Sequence, residues 1–184
     1  MPFLKSLPDK ATVPDILKLN RDAGLLLADY HTAVMRQPSA LTDGERELIA
    51  AYVSGLNACQ YCHGVHRRTA EAYDFDAGLI EALMDDVDAA DVDPRLKPVL
   101  RYVMKLTRTP AKMTEADADA VFAAGWDDQA LHDAINVACL FNFMNRLLEG
   151  HGVKGEAAVF EARGPMLKQH GYAMVRTALD DQAG

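Results

Sequence analysis

The sequence predicts an all-α fold, and two observations support that prediction. Prolines are absent from residues 39–93 and 111–164, so helices can run there without interruption. The β-branched residues are scattered, and no short alternating apolar run is bounded by hairpin signals. The chain of 184 residues has the length of one domain. We therefore expect a single compact helical domain over residues 1–184.

Capping and break signals set the elements of the first half. A first helix is expected over about 15–35, with apolar residues spaced to bury one side. That stripe comprises Leu19, Ala23, Leu26, Leu27, Tyr30 and Val34. A capping box that begins at Thr42 starts the next helix. A break at Gly55 and Asn57 then lets a new helix begin around Cys59.

Similar signals divide the second half. The pair Asp93-Pro94 opens a helix, and Thr114 and Asp127 are further N-cap candidates. Residues 128–149 are apolar nearly all round, which predicts the central buried helix, with Cys139 in the core.

The C-terminal part has weaker signals. Residues 155–179 are expected to form one or two closing helices, interrupted at Gly164-Pro165. We expect the last five residues, 180–184, to fray.

Charge and hydropathy exclude several classes of partner. Acidic residues outnumber basic ones by 27 to 19, which gives a net charge of −8 and a pI near 5.1. Such a surface repels nucleic acid and anionic lipid. The N-terminal residues lack the apolar core of a signal peptide, and no long apolar run follows. We therefore expect a cytoplasmic protein with small-molecule or protein partners, and neither nucleic acid nor a membrane.

Two thiols and an imidazole share one predicted helix start. At positions i and i+3 of a helix, Cys59 and Cys62 have Cβ atoms roughly 5–6 Å apart, and a tightened first turn brings them to disulfide distance. Cys62 and His66 at i and i+4 share a face, so the imidazole can take the thiol's proton. The unpaired N–H groups of a helix start also favour a thiolate. This arrangement is typical of a nucleophilic cysteine.

Two other interpretations of these residues remain open. Buried cysteines can be small core residues. Alternatively, Cys59, Cys62 and His66 could bind zinc, with Glu47 as the fourth ligand. The chain has no second Cys or His pair at zinc-finger spacing, so we expect no metal.

The motif resembles that of a known family. Glu47, eleven residues, Cys59-x-x-Cys62, three residues and His66 are similar to the signature of the AhpD-like alkylhydroperoxidases, within the carboxymuconolactone decarboxylase superfamily. The segments 41–50 and 141–147 look like those of the subgroup called peroxidase-related proteins.

The resemblance implies an AhpD-like helical bundle that forms a homo-oligomer, with its catalytic core at about 41–150. It also implies a peroxidase without haem, metal or other cofactor, which reduces a peroxide and is recycled by an unknown thiol protein. Cys62 would attack the peroxide and Cys59 would resolve the sulfenic acid. Glu47 and His66 would relay protons. AhpD has a histidine immediately before its second cysteine where this chain has Tyr61, so the relay is expected to differ.

Two other functions stay open beside the peroxidase. One is a redox sensor whose disulfide switches an interaction without turnover. The other is a non-redox decarboxylase or lactone-processing enzyme on the same fold. Elsewhere, Asn142 and Asn145 are expected to fix helix register or to approach the site. His31 has no partner pattern.

Overall fold

The computed structural model describes residues 1–180, and this part of the chain is all-helical, as predicted, with no strand. It contains a short 3-10 helix at Pro110–Lys112 besides its α-helices. No helix within these residues is long and apolar enough to cross a membrane. The α-helices are α1 Val13–Lys18, α2 Arg21–Arg36, α3 Asp43–Leu56, α4 Gln60–Ala72, α5 Leu79–Asp85, α6 Leu96–Arg108, α7 Glu115–Ala123, α8 Asp128–His151, α9 Ala157–His170 and α10 Ala173–Asp180.

The centre of the fold is α3. Its residues 46–54 are all buried, and it packs against α4, α5, α6 and α8. The helix expected at 128–149 forms as α8, but Cys139 and Phe143 are exposed on it. The predictions that α8 is the central buried helix and that Cys139 lies in the core are therefore wrong. The buried face of α8 is turned toward α3, and its apolar residues on the opposite side face outward.

The first predicted helix is two helices. Asn20 has a non-helical backbone and accepts a hydrogen bond from the Ala23 N–H at 3.3 Å, so α2 begins as a separate helix at Arg21. The predicted buried stripe is also wrong, because Leu26 is 72% exposed. The other exposed stripe residues are Leu19, Ala23 and Tyr30, and the buried residues of α2 are Gly24, Ala28, His31 and Met35. Gly24 faces α1 because a Cβ there would lie 2.6 Å from the Leu17 carbonyl oxygen.

The C-terminal break lies later than predicted. Helix α9 continues through Gly164 and Pro165, and the chain turns at Gly171, which has a φ of 61°. The loss of a backbone hydrogen bond at Pro165 is offset by close packing of α9 on α4, where Gly164 lies against Arg68. The predicted fraying at 181–184 lies outside the described residues, while Asp180 is the last residue of α10.

Most helix starts are as expected. Thr42 forms the capping box of α3, Thr114 that of α7, and the Asp127 side chain caps α8. Helix α6 begins at Leu96, two residues later than Asp93-Pro94 suggested, because the Leu96 N–H bonds to the Asp93 carbonyl in a preceding turn.

Candidate active site

The turn between α3 and α4 positions the two cysteines. After the end of α3, Ala58 takes a left-handed conformation with a φ of 53°. Cys59 is the N-cap of α4, and its N–H donates to the Ser54 carbonyl at 3.0 Å. The predicted helix start at Cys59 is thus confirmed, and Cys62 lies in the first turn of α4.

Asparagine side chains fasten this turn to α8. Asn57 Nδ2 donates to Oδ1 of Asn142 at 3.1 Å and to Oδ1 of Asn145 at 2.9 Å. Asn145 donates in turn to Ser54 Oγ at 3.0 Å, and Asn142 to Thr107 Oγ1 at 3.0 Å. These amides therefore fix the register of α8 against the turn that begins α4, which is the structural role expected for them.

The two thiols are free, buried and coupled to each other. Cys59 is fully buried and Cys62 is 4% exposed. A hydrogen bond from Cys62 lowers the pKa of the Cys59 thiol and outweighs its burial. The same hydrogen bond, burial and the charge on Cys59 raise the pKa of Cys62 well above its usual value. The first negative charge of the pair therefore resides on Cys59, at the N-terminus of α4.

Glu47 is a fully buried carboxylate with a complete set of donors. His66 Nδ1 donates to its Oε2 at 2.7 Å. Its Oε1 accepts from Arg36 Nη2 at 2.6 Å and from the Tyr172 hydroxyl at 2.9 Å. A buried charge is tolerated when it is paired and hydrogen-bonded in this way. Because Nδ1 of His66 is engaged, Nε2 is the nitrogen left to exchange a proton.

These contacts determine the charge states of Glu47 and Tyr172. Burial by itself raises the pKa of Glu47, but the hydrogen bonds and positive charges of His66 and Arg36 outweigh it and lower that pKa. Burial, followed by the charge of Glu47, raises the pKa of Tyr172 well above its usual value. Glu47 is therefore an acceptor and Tyr172 a permanent donor at neutral pH.

A small cavity of about 50 Å³ lies beside the Cys62 thiol and the His66 imidazole. Cys62 and His66 both line it, and the ring of Phe141 lies 4.4 Å from that of His66. Cys59 and Glu47 do not line this cavity. An apolar groove of about 490 Å³ between α1, α9 and α10 shares lining residues with the cavity. The shared residues are Arg163, Leu167 and Val175.

His31 and Tyr61 are two of the other polar side chains that line the cavity. Burial lowers the pKa of His31 to about 4, so its ring is neutral at pH 7, where it stacks on Tyr172. Tyr61 stands where AhpD has its extra histidine. Its hydroxyl is buried and has no hydrogen-bond partner among residues 1–180. Tyr61 makes no hydrogen bond to the Glu47 carboxylate, so its hydroxyl does not substitute for that histidine in the Glu47 cluster.

Sequence reasoning missed Arg36, His31 and Tyr172. One signal could have pointed to Arg36, because a carboxylate predicted on a buried helix needs a cation, and Arg36 ends the preceding helix. Nothing local in the sequence could have identified Tyr172, which belongs to the C-terminal segment. His31 is recognisable only once the buried face of α2 is known.

The metal interpretation loses support from this geometry. Within residues 1–180, no group of three His, Cys, Asp or Glu side chains is arranged to bind a metal ion. Both carboxylate oxygens of Glu47, the fourth ligand in that interpretation, accept hydrogen bonds from His66, Arg36 and Tyr172 instead.

Comparisons with known proteins agree with the resemblance seen in the motif. Residues 21–105, which include the segment from Glu47 to His66, match the Carboxymuconolactone decarboxylase family. No curated protein matches the chain.

Two solved structures are similar over most of the chain. One is an alkylhydroperoxidase AhpD core, an uncharacterized peroxidase-related protein from Ralstonia eutropha JMP134. It is 26% identical with a TM-score of 0.74, and the match covers 82% of this chain and 79% of that one. The other is an uncharacterized peroxidase-related protein from Silicibacter sp. TM1040. It is 28% identical with a TM-score of 0.74, over 80% of this chain and 78% of that one.

Proposed function

We propose that this protein is a thiol peroxidase, because residues 21–105 match the Carboxymuconolactone decarboxylase family and the fold is similar to that of an alkylhydroperoxidase AhpD core. It reduces organic hydroperoxides or hydrogen peroxide through a Cys59–Cys62 disulfide. One observation carries the proposal: Cys62 lines the same cavity as His66, whose other ring nitrogen is held by Glu47.

In the first step Cys62 attacks the peroxide. The hydrogen bond between the thiols lets the Cys62 proton move to the Cys59 thiolate when substrate enters. The Cys62 thiolate then forms a bond to the terminal peroxide oxygen and the O–O bond breaks. His66 enters this step protonated at Nε2, with its ring charge stabilised by the Glu47 carboxylate, and donates that proton to the departing alkoxide. The products are an alcohol and a sulfenic acid on Cys62.

In the second step Cys59 resolves the sulfenic acid. Its sulfur attacks the Cys62 sulfur, the S–S bond forms, the S–O bond breaks, and water leaves. A dithiol reductant, supplied by another protein or by a small molecule, then takes up the two oxidising equivalents and restores both thiols.

Arg36 and Tyr172 are positioning residues in this scheme. They hold the Glu47 carboxylate so that its second oxygen faces His66. The apolar groove beside the cavity supports organic hydroperoxides as substrates, because it offers space for an alkyl chain next to Cys62.

We also propose that the protein is a homo-oligomer. Leu26 on α2 is 72% exposed and Phe143 on α8 is 52% exposed, and Tyr30 and Asn136 join these two helices by a 3.0 Å hydrogen bond. Exposed large apolar side chains on adjoining helices are typical of subunit contacts. Light scattering at micromolar concentration tests this, and a monomeric mass would overturn it.

Peroxide turnover tests the function. With dithiothreitol as reductant, the wild type should consume cumene hydroperoxide continuously. The Cys62→Ser and Cys59→Ser variants should lose turnover, and Cys139→Ser, which changes the exposed third cysteine, should keep it. Oxidation that stops after one equivalent despite excess reductant would indicate a redox switch instead. Full turnover by Cys62→Ser would refute the assignment.

A further inference from the structure

Glu149 in the last turn of α8 has an unusual environment. Its Oε1 is buried and has no hydrogen-bond partner among residues 1–180, whereas its Oε2 pairs with Lys154. The side chain is 34% exposed, so the carboxylate spans from the interior to the surface. A buried, unpartnered carboxylate oxygen is costly, and its persistence calls for a functional explanation.

This carboxylate lies near the thiol pair, on a face of α8 that contacts the turn before α4. One turn earlier on α8, Asn145 bonds to Ser54 and Asn57 in the turn before α4. The same face of α8 therefore carries Glu149 toward Cys59. Its negative charge contributes to raising the pKa of both thiols, as expected of a near neighbour. Glu149 does not line the cavity that Cys62 and His66 share.

The resolving step of the proposed reaction needs a base at this place. Once Cys62 is a sulfenic acid, Cys59 holds the proton it received and has lost the hydrogen bond that made it acidic. Cys59 is fully buried and lies outside the cavity wall, so its proton has no route through His66. Glu149 offers an unoccupied acceptor there.

We propose that Glu149 is the general base of the resolving step, taking the proton of Cys59 as its sulfur attacks Cys62. This inference rests on the proposed peroxidase function. The S–S bond forms, the S–O bond breaks, and the hydroxide leaves as water after accepting a proton that solvent supplies through the cavity. The proton on Glu149 then passes to solvent beside Lys154, and the carboxylate is restored.

The Glu149→Gln variant tests the proposal, with sulfenic acid trapped by dimedone. Sulfenic acid should form on Cys62 at the wild-type rate, whereas disulfide formation should slow by about tenfold or more, as expected for loss of a general base. The control Glu156→Gln changes an exposed glutamate that pairs with Lys10 and should leave both rates unchanged. Lys154→Met breaks the ion pair but keeps the base, and should also resolve at close to the wild-type rate.

A second readout does not depend on peroxide activity. In a Cys62→Ser background, Glu149→Gln removes a negative charge beside Cys59, so Cys59 should be alkylated by iodoacetamide several-fold faster at neutral pH. Faster alkylation of Cys59 combined with slower disulfide formation is a result that simple loss of structure would not produce. Unchanged alkylation, unchanged resolution, or slow resolution in Lys154→Met as well would each overturn the role of Glu149. If wild type forms no sulfenic acid, the peroxidase function fails, while the alkylation result still tests the contact.

Discussion

The hydroxyl of Tyr172 donates to Oε1 of Glu47 at 2.9 Å, although the two residues are 125 positions apart in the sequence. The C-terminal segment therefore completes the carboxylate cluster that holds His66. Burial and the charge of Glu47 raise the pKa of the Tyr172 hydroxyl, so this donor stays protonated at neutral pH.

The Tyr172→Phe variant removes that donor and little volume. The pKa of Glu47 should rise, because a hydrogen bond to its charged form is lost. We expect peroxide turnover to fall and the acid limb of the kcat/KM profile to move to higher pH. The free energy of unfolding should drop by about 1–3 kcal/mol, the cost of a buried acceptor left short of a donor. An unchanged pH profile would contradict the role of Tyr172 in positioning Glu47.

Removing Arg36 should be more damaging. Arg36→Leu leaves the fully buried Glu47 carboxylate without its cation, and we expect a loss of about 3–5 kcal/mol in the free energy of unfolding. The matched control is Arg21→Leu, whose exposed ion pair with Asp180 should contribute less than about 1 kcal/mol. Urea denaturation measures both. Equal effects of the two substitutions would contradict the buried ion pair.

The low pKa of His31 predicts that the folded state loses stability in acid. Its folded-state pKa of about 4 lies below the usual 6.5, so its protonation is resisted in the folded state. Stability is fully present above pH 6.5 and is lost as the pH falls toward 4, by roughly 3 kcal/mol in total. His31→Phe should flatten the stability profile in that window. A variant with the same slope as the wild type would show that His31 is not the group responsible.

Ala58 carries backbone strain next to the thiols. A non-glycine residue at a φ of 53° costs about 1–2 kcal/mol, and Ala58 is exposed, so no side-chain contact compensates. We expect Ala58→Gly to raise the free energy of unfolding by up to about 1 kcal/mol, since glycine relieves the strain but loses more entropy on folding. Thermal unfolding provides the measurement. A clear loss of stability would contradict the left-handed turn.

Local patterns predicted the part of the site that lies within 20 residues of sequence. Glu47, Cys59, Cys62 and His66 follow from the motif, because helix periodicity and capping act over short distances. The α-helical fold follows for the same reason. The cavity could not be predicted in this way, because α9 and α10 line it only as a result of tertiary packing.

The errors have a common physical cause. The predicted stripe that includes Leu26 rests on apolarity, whereas α2 buries the small residues Gly24 and Ala28, which allow close approach to its neighbours. Apolarity also predicts a core position for Cys139, which is exposed. Helix periodicity identifies an apolar face, but packing decides which face is covered.

The most direct test of the peroxidase account is mass spectrometry after one equivalent of cumene hydroperoxide, with the Cys59→Ser and Cys62→Ser variants side by side. The account predicts a Cys59–Cys62 disulfide in the wild type, a sulfenic acid on Cys62 in Cys59→Ser, and no rapid oxidation in Cys62→Ser. Rapid oxidation of Cys59 in the Cys62→Ser variant, or inert thiols in the wild type, would contradict the assignment of Cys62 as the attacking thiol.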